Sequence, residues 1–389
     1  GRQPPFDHVA SINNIAFSQL APGQLSPFNP NLPQPPVELS ALDQSYFPPT
    51  SYQYSLGTQY ELTNDTMLEV DYVGSHQIHL GQNRDINQPS AQYQLPIYEG
   101  TLDANGVRPY LGYSIINMNE RVGTSKYNSL QVFLNHRVDR YGLQFQVAYT
   151  YSRNLTDTIN QDTEGHNAPI QNAYNPQAEY AVANQNTPNS FSANYMWSLP
   201  WFKSAKGVQG QVLGGWQVVG ITTFRTGLPI NICEDQDYAG TRSEACLRPN
   251  LVSNPNLSKS SRTLQQFFNP NAYVMQPIAT FGNAARNLIV GPGIANTDFS
   301  IFKNFAIPWF GRGGSNSLGG ESANVQFRAE LFNVFNHTQF SGVNSTFVPQ
   351  TDSNGNPLVG LPADPSSGLG VVTGARAPRE IQFALKFLF

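Results

Sequence analysis

The chain has 389 residues and a net charge of −4, and only 12% of its residues are charged, about half of the roughly 25% typical of soluble domains. Apolar residues make up 39% and aromatic residues 12%, so neutral polar residues take the place of the missing charges. The absence of a basic stripe argues against a nucleic-acid partner, and no apolar run is long enough for a membrane-spanning helix.

Alternating apolar and polar residues dominate the chain, whereas helical periodicity is almost absent. Residues 1–50 are predicted to form a loop with one weak strand near 9–18. Nine strands are then predicted in chain order, at 51–61, 66–75, 125–138, 141–152, 185–199, 209–225, 296–307, 322–335 and 377–389. The 209–225 segment alternates poorly. The pattern predicts an all-β protein built from antiparallel strands.

The connections between these strands are alternately short and long. Short connections are predicted at 62–65, 139–140, 200–208 and 308–321, and long ones at 76–124, 153–184, 226–295 and 336–376. Strict alternation places all short turns at one end of the strands, which is typical of an up-and-down transmembrane barrel with short periplasmic turns and long extracellular loops. A soluble β-sandwich or propeller is the alternative interpretation.

One face of the last strand is strongly apolar, and the chain ends on that strand. Its apolar positions are Ile381, Phe383, Leu385, Phe387 and Phe389. Such a strand would aggregate if water covered it, so we expect this face to contact lipid. Aromatic residues near the short connections are predicted to form a belt at the headgroups, namely Tyr141, Trp201, Phe202, Trp309 and Phe310.

The opposite faces of the strands carry polar residues, which are expected to face the lumen of a barrel. The candidates are Gln144, Gln146, Asn194, Gln326, Arg328, Glu330 and Lys386. They could line a substrate path or grip a plug, or they could be solvated wall residues that pair with one another. Arg328 and Glu330 lie two residues apart on one face, so they could pair with each other or with a residue of a plug.

Several segments together resemble a known family. The terminal strand ending in Phe resembles the recognition signal of outer-membrane barrels, and "RAELFNVFNH" (328–337) is similar to a motif near the end of TonB-dependent receptors. Further segments resemble the Oar-like branch of these receptors, which carries a carboxypeptidase-regulatory-like domain. They are "LEVDYVGSHQIHL" (68–80), "YNSLQVFLNHR" (127–137), "LQFQVAYTYSRNLTD" (143–157), "FGNAARNLIVGPGIANTDFSIFKNF" (281–305) and "ARAPREIQFALKFLF" (375–389).

The resemblance implies a barrel of 22 strands around a plug, in the bacterial outer membrane, with uptake driven by TonB, ExbB and ExbD. Only nine or ten strands are predicted here, and no plug or TonB box is recognisable. The chain is therefore interpreted as the C-terminal part of such a receptor, with an extracellular substrate that the sequence does not identify. A passive porin or a surface adhesin is the alternative function, and a secreted β-rich binding protein is a third.

No enzyme site, cofactor site or metal site is predicted. Asp157, Asp162, Glu164 and His166 lie in one loop, and the carboxylate oxygens of the three acidic residues are suited to calcium, but the spacing favours a solvated acidic loop. "DSNGNP" (352–357) is interpreted as a hairpin tip. His76 and His79 would point to opposite sides of a strand. Cys233 and Cys246 are either a disulfide pair or two free thiols.

Overall fold

The computed structural model describes residues 37–45, 47–159, 168–202, 207–306 and 324–388. Its central element is one largely antiparallel sheet, and nine of its longer strands lie at approximately the nine predicted positions, whereas the strand at 37–42 was not predicted. The ten longer strands are β1 (Val37–Leu42), β2 (Thr50–Thr63), β3 (Thr66–Asp85), β4 (Tyr113–His136), β5 (Leu143–Thr156), β6 (Asn189–Ser198), β7 (Trp216–Arg225), β8 (Ile294–Ala306), β9 (Asn324–Phe332) and β10 (Glu380–Leu388). The doubtful strand at 9–18 lies outside the described residues.

Strands β2 to β10 follow one another across the sheet in chain order, each antiparallel to the next. The described parts of the long connections, 86–112, 157–159, 168–188, 226–293 and 333–379, therefore all lie at one end of the strands. β2 and β10 form the two edges, and these edges do not pair with each other among the described residues. The nine strands thus form an open, up-and-down sheet.

The register of the sheet shows why the sequence alternates. Many apolar positions pair with apolar positions on the next strand, as in Phe383 opposite Ala329 and Ala329 opposite Ile301. Because neighbouring partners point to the same side of a sheet, one face is apolar from β2 to β10 and the other is polar. A slip of one residue would exchange the two faces, so the pattern fixes the register.

The prediction of a strand over 209–225 is wrong in its first third. Residues Gly207–Leu213 form a short helix, α2, and β7 begins only at Trp216. The reason is local: Gly215 has a positive φ of 75°, the left-handed conformation that ends helices and that glycine adopts readily. Poor alternation in "QGQVLGG" marks this helix and its glycine stop rather than an irregular strand.

β3 and β4 are longer than predicted and extend beyond the other strands on the side of the long connections. They contain 20 and 24 residues and remain paired up to Asp85 opposite Asn117. β1 pairs in parallel with the upper part of β4, with Leu39 opposite Ile116. The ends of β3 and β4, together with β1, therefore form a small three-stranded extension of the sheet beyond the region where β6 and β7 end.

Shorter elements belong to the long connections. They comprise the helix α1 (Ala91–Tyr98), the 3₁₀ turns Ala104–Gly106, Pro176–Glu179, Lys259–Ser261, Pro270–Ala272 and Pro365–Ser367, and the short strands Ala181–Val182, Pro229–Ile230, Cys233–Glu234, Asn250–Leu251, Tyr273–Val274, Ile289–Val290, Phe340–Val343, Thr346–Phe347 and Val372–Ala375. No helix within the described ranges is long and apolar enough to cross a bilayer.

The long connections have their own hydrophobic core. Its buried residues come only from 226–293 and 333–379, namely Ile232, Tyr238, Phe267, Phe268, Ala272, Tyr273, Met275, Ala284, Ile289, Phe347, Ala363 and Leu369. Tyr98, from the connection 86–112, packs against it. We call residues 86–112, 168–188, 226–293 and 333–379 the loop layer, because they pack into one folded layer at the end of the sheet.

Candidate functional site

The seven polar residues proposed for the lumen all lie on the polar face of the sheet. Gln146 pairs with Asn194 across β5 and β6, and Asn194 Nδ2 donates to Gln146 Oε1 at 3.4 Å; Gln144 is two residues before Gln146 on the same strand. On β9 and β10, Gln326 lies opposite Lys386 and Glu330 lies opposite Gln382. The face is a mostly hydrophilic wall, with Ile221 and Phe302 among its apolar positions.

Charges on this wall are satisfied by their neighbours. Arg328 Nε donates to Gln326 Oε1 at 2.7 Å, and Arg328 Nη1 lies 3.5 Å from Glu330 Oε1. The Arg328 guanidinium also stands 5.5 Å from the ring centre of Phe302. Of the alternatives that the sequence left open for Arg328 and Glu330, the structure shows a pair on one strand.

The apolar face exposes large side chains where a soluble protein would cover them. On β10 the exposed fractions are 50% for Ile381, 72% for Phe383, 65% for Leu385 and 64% for Phe387. β2 behaves similarly, with 79% for Leu56. Phe389 lies outside the described residues. An extended apolar face of this kind requires a partner other than water.

Aromatic rings mark both ends of the apolar face. At the short-turn end, Tyr141, Trp201 and Phe202 are all exposed, and Trp197 connects two of them because it packs on Trp201 at 5.3 Å and donates to the Tyr141 carbonyl. Trp309 and Phe310 lie outside the described residues. At the other end, Tyr52, Tyr54 and Tyr151 are exposed, a second belt that the sequence analysis missed.

The distance between the two belts matches an apolar membrane layer. Tyr141 and Tyr151 are separated by ten positions, 151 minus 141, on and beside β5. At about 3.3 Å per residue this is roughly 33 Å along the strand, or about 25 Å along the membrane normal for a tilt near 40°. Outer-membrane barrels carry an apolar band of about that height between aromatic girdles.

One lysine interrupts the apolar face. Lys303 on β8 is only 4% exposed, and its Nζ donates to the carbonyls of Gln211 and Gly214 at the end of α2. Its ammonium also lies 5.0 Å from the ring centre of Phe305. A cation that caps free helix carbonyls is stabilised there, so α2 and Lys303 form one unit at the short-turn end.

A disulfide fastens the loop layer. Cys233 and Cys246 are joined, with Cα atoms 5.2 Å apart and 13 residues of sequence separation. Glu234 follows directly, and both of its carboxylate oxygens are buried. Burial raises its pKa to about 8, the Gln276 side chain and the Arg248 charge act in the opposite direction, and the nearby Asp237 and Asp235 raise it further. The layer thus contains a carboxyl group whose burial favours its protonated form.

Two buried arginines converge on one glutamate in the loop layer. Arg248 donates to both carboxylate oxygens of Glu179, at 2.8 and 3.0 Å, and Arg286 Nε lies 3.0 Å from the same carboxylate. The three side chains are between 1% and 3% exposed. Arg286 Nη2 also donates to the carbonyls of Glu179 and Thr156, which ties the layer to the end of β5.

A second buried pair joins β3 to the connection after it. Arg108 Nη1 lies 3.4 Å from Asp85 Oδ2, and Arg108 Nη2 donates to the Arg242 carbonyl at 2.9 Å. Burial raises the pKa of Asp85, against hydrogen bonds from Ile116 and Asn87 and the charge of Arg108. The pair therefore connects the top of β3 to the connection 226–293.

The loop layer contains two cavities. The larger has a volume of about 620 Å³, and its lining includes Arg108, Arg242, Asp103 and Ile97. This is within the size range of sites for small molecules. The smaller has a volume of about 220 Å³ and is lined by Arg248, Arg286 and several asparagines. Both cavities place arginine side chains at their walls.

The remaining sequence candidates have structural roles or lie outside the described residues. Asp352 Oδ1 accepts from the backbone of Asn354 and Asn356, and Thr351 pairs with Pro357, which makes 352–357 a hairpin tip. Asp157 accepts two hydrogen bonds from Thr124, while Asp162, Glu164 and His166 lie outside the described residues.

The two histidines are separated by an irregularity of β3. His79 has a positive φ of 58° and stacks on Phe47 at 5.2 Å, whereas His76 lies opposite Lys126. Within the described part of the chain, no three His, Cys, Asp or Glu side chains are grouped as metal ligands. The histidines therefore have separate surroundings.

Sequence reasoning missed the loop layer as a folded unit. Its core residues are interspersed with prolines and asparagines, without helical or strand periodicity, so no regular sequence pattern predicts that these residues are buried. The available signal was the aromatic and proline content of the long connections, together with the two cysteines, since a plain flexible loop needs neither. Glu179, Arg248 and Arg286 lie far apart in sequence, and only the fold brings them together.

Comparison with known proteins agrees with this architecture. No curated protein matches the chain. A family model described as "Outer membrane beta barrel domain" matches residues 1–382. Because the match covers nearly the whole chain, and the sheet has the two faces and two aromatic belts described above, the chain belongs to the outer membrane beta barrel domain family and is a protein of the bacterial outer membrane.

Proposed function

We propose that this protein is the wall and ligand-capturing surface of a TonB-dependent receptor of the Oar-like branch, which takes up a substrate across the outer membrane. The observation that carries the proposal is the loop layer, which has a hydrophobic core, a disulfide and buried ion pairs. A passive pore needs open access to its lumen, whereas a receptor needs a rigid surface that binds its ligand at low concentration.

The open sheet supports a larger barrel. Nine strands leave β2 and β10 without partners among the described residues, and a free strand edge is not stable in lipid. Further strands must therefore complete the wall, as the 22 strands of the resembling family would. In that arrangement the long connections face the exterior and the polar wall faces a plug.

Energy coupling is the part of the proposal that distinguishes it from simple diffusion. TonB, with ExbB and ExbD, would act on a plug inside the barrel, and movement of the plug would open a path along the polar wall. The hydrogen-bonded Arg328, Gln326 and Glu330 would present both donors and acceptors to such a plug. Neither catalytic chemistry nor a bound cofactor is required.

The test compares uptake in cells that carry the full-length gene. Loss of extracellular peptides, oligosaccharides and metal chelates from the medium is followed by mass spectrometry in the wild type, a deletion of this gene and a deletion of tonB. A compound taken up only when both genes are present supports the proposal. If uptake depends on this gene but is unchanged when tonB is deleted or a protonophore is added, the protein is a passive porin and the proposal is wrong.

A surface adhesin is the second candidate, and exposed rings in the loop layer favour it. Tyr110, Tyr174 and Tyr180 are 52%, 58% and 48% exposed, and tyrosine is frequent in binding surfaces. An adhesin predicts that deletion of the gene lowers attachment to surfaces or other cells and leaves the composition of the medium unchanged.

A further inference from the structure

The smaller cavity of the loop layer contains a buried cation with unused hydrogen-bond donors. Arg286 is 2% exposed and lines the cavity, and its Nη1 has no hydrogen-bond partner among the residues that the structure describes. The other donors of this guanidinium are used: Nε and Nη2 bind the Glu179 carboxylate and the carbonyls of Glu179 and Thr156. A buried donor without an acceptor is destabilising, so an acceptor in the cavity would stabilise the protein.

The charges around this cavity are unbalanced in favour of the cations. Two guanidinium groups, Arg248 and Arg286, share one directly contacting carboxylate, that of Glu179. Asp157 is the other acidic group that acts on Arg286, but both its carboxylate oxygens already accept hydrogen bonds from Thr124. Water could satisfy the Nη1 donors, but it could not compensate the charge. The cavity therefore suits an anion.

The cavity also offers an acceptor. Asn231 lines it, and its Oδ1 has no hydrogen-bond partner within the described part of the chain, while its Nδ2 is directed to the sulfur of Cys246 at 3.1 Å. Its volume of about 220 Å³ exceeds the roughly 30 Å³ of a water molecule and remains below that of a drug-sized site. The space fits a molecule with a few non-hydrogen atoms.

We propose that this cavity binds a small carboxylate of net negative charge that also carries an uncharged hydrogen-bond donor, such as a hydroxy acid or the C-terminal residue of a peptide. Its carboxylate would accept from Arg286 Nη1, and its hydroxyl or amide N–H group would donate to Asn231 Oδ1. Binding here does not depend on energy coupling, so a failure of TonB-dependent uptake would leave this proposal intact, and the reverse holds equally.

The test is a titration of the full-length protein, purified in detergent, with three probes of similar size at constant ionic strength. Lactate carries a carboxylate and a hydroxyl donor, propionate carries only the carboxylate, and alanine carries a carboxylate but no net charge because of its ammonium. Isothermal titration calorimetry should show saturable binding of lactate, at least tenfold tighter than that of propionate, alanine or chloride. A site built to hydrogen-bond a donor discriminates against the analogue that lacks it.

Tryptophan substitutions at Ala168 and at Ala91 distinguish a blocked cavity from a damaged fold. Ala168 lines the cavity and is exposed, so Ala168→Trp should block access without touching the Glu179 ion pairs and should lower affinity at least tenfold. Ala91→Trp is the control, because Ala91 is also exposed but lines neither cavity. Asn231→Ala should weaken the binding of lactate but not that of propionate.

The proposal would be overturned by the absence of saturable binding for every probe, or by equal binding in the Ala168→Trp variant and the wild type. Equal affinity for propionate and lactate would refute the role of Asn231. Arg286→Lys offers a further check: it keeps the charge but removes the forked donors, and affinity should fall while amide protection of residues 168–188 shows whether the layer remains folded.

Discussion

Replacement of Glu179 by Gln tests whether one buried carboxylate holds the loop layer together. The substitution keeps the shape of the side chain but removes its charge, and it turns one acceptor of Arg248 or Arg286 into an amide that donates. Two guanidinium groups that are 2% and 3% exposed would then lack a counter-charge in contact. Breaking a buried ion pair in this manner costs about 3–5 kcal/mol.

The magnitude is best measured as local opening. At 1.4 kcal/mol per factor of ten, the loss corresponds to roughly a 100- to 3,000-fold higher population of the opened layer. Hydrogen exchange followed by mass spectrometry should therefore show strongly accelerated exchange in peptides from 168–188, 226–293 and 333–379. Exchange in β5 and β6 should stay slow, because the sheet does not depend on this carboxylate.

Glu120→Gln is the matched control, since Glu120 also pairs with an arginine. Arg84 Nε donates to Glu120 Oε2 at 2.8 Å, but the two side chains are 32% and 15% exposed. Pairs that reach solvent contribute about 0–1 kcal/mol, so exchange should change less than tenfold. If the two variants exchange equally, burial of the Glu179 pairs adds nothing, and the reasoning is wrong.

Three further predictions concern single features of the fold. Replacing Cys233 and Cys246 by Ser should destabilise the loop layer by about 3 kcal/mol. Thermal melts of the wild type with and without reductant would detect this loss, and equal melting temperatures of the oxidised and reduced protein would contradict the prediction. Lys303→Ala should leave the carbonyls of Gln211 and Gly214 without their partner at a cost of about 1–3 kcal/mol, seen as a lower urea midpoint of the refolded barrel, while Lys386→Ala on the polar wall should have little effect. The pKa of Glu234 is about 8 in the folded layer and about 4.5 in the unfolded chain, so the folded state binds more protons between these pH values. The free energy of unfolding should therefore fall as the pH rises from 4.5 to 8. Glu234→Gln should remove this pH dependence, and a pH dependence that persists in the variant would exclude Glu234 as its source.

The sheet was largely predictable because its environment has only two sides. When one face contacts lipid and the other a polar interior, apolar and polar residues must alternate along a strand. This alternation can be seen in the local sequences of β5, β6, β9 and β10 alone. The boundaries were less accurate where the constraint ends. The upper parts of β3 and β4 lie beyond the apolar layer, so 76–85 and 113–124 show no such alternation.

The candidate site was not predictable, because contacts between distant segments create it. Arg286 lies within a segment that supported the family resemblance, yet its partner Glu179 is 107 positions away in the chain. Lys303 was counted only as part of a strand, because its value depends on the carbonyls of α2. The disulfide remained one of two alternatives until the fold placed the cysteine Cα atoms 5.2 Å apart.

The arrangement of the long connections has a consequence for the order of assembly. Neighbouring strands join residues that are close in sequence, so the wall can grow by adding one hairpin at a time. The bonds of Arg108 to the Arg242 carbonyl and of Arg286 to the Thr156 carbonyl instead span 134 and 130 positions. They can form only after several hairpins are in place. The loop layer is therefore the last part to fold, and until then its aromatic side chains are accessible to proteases and chaperones.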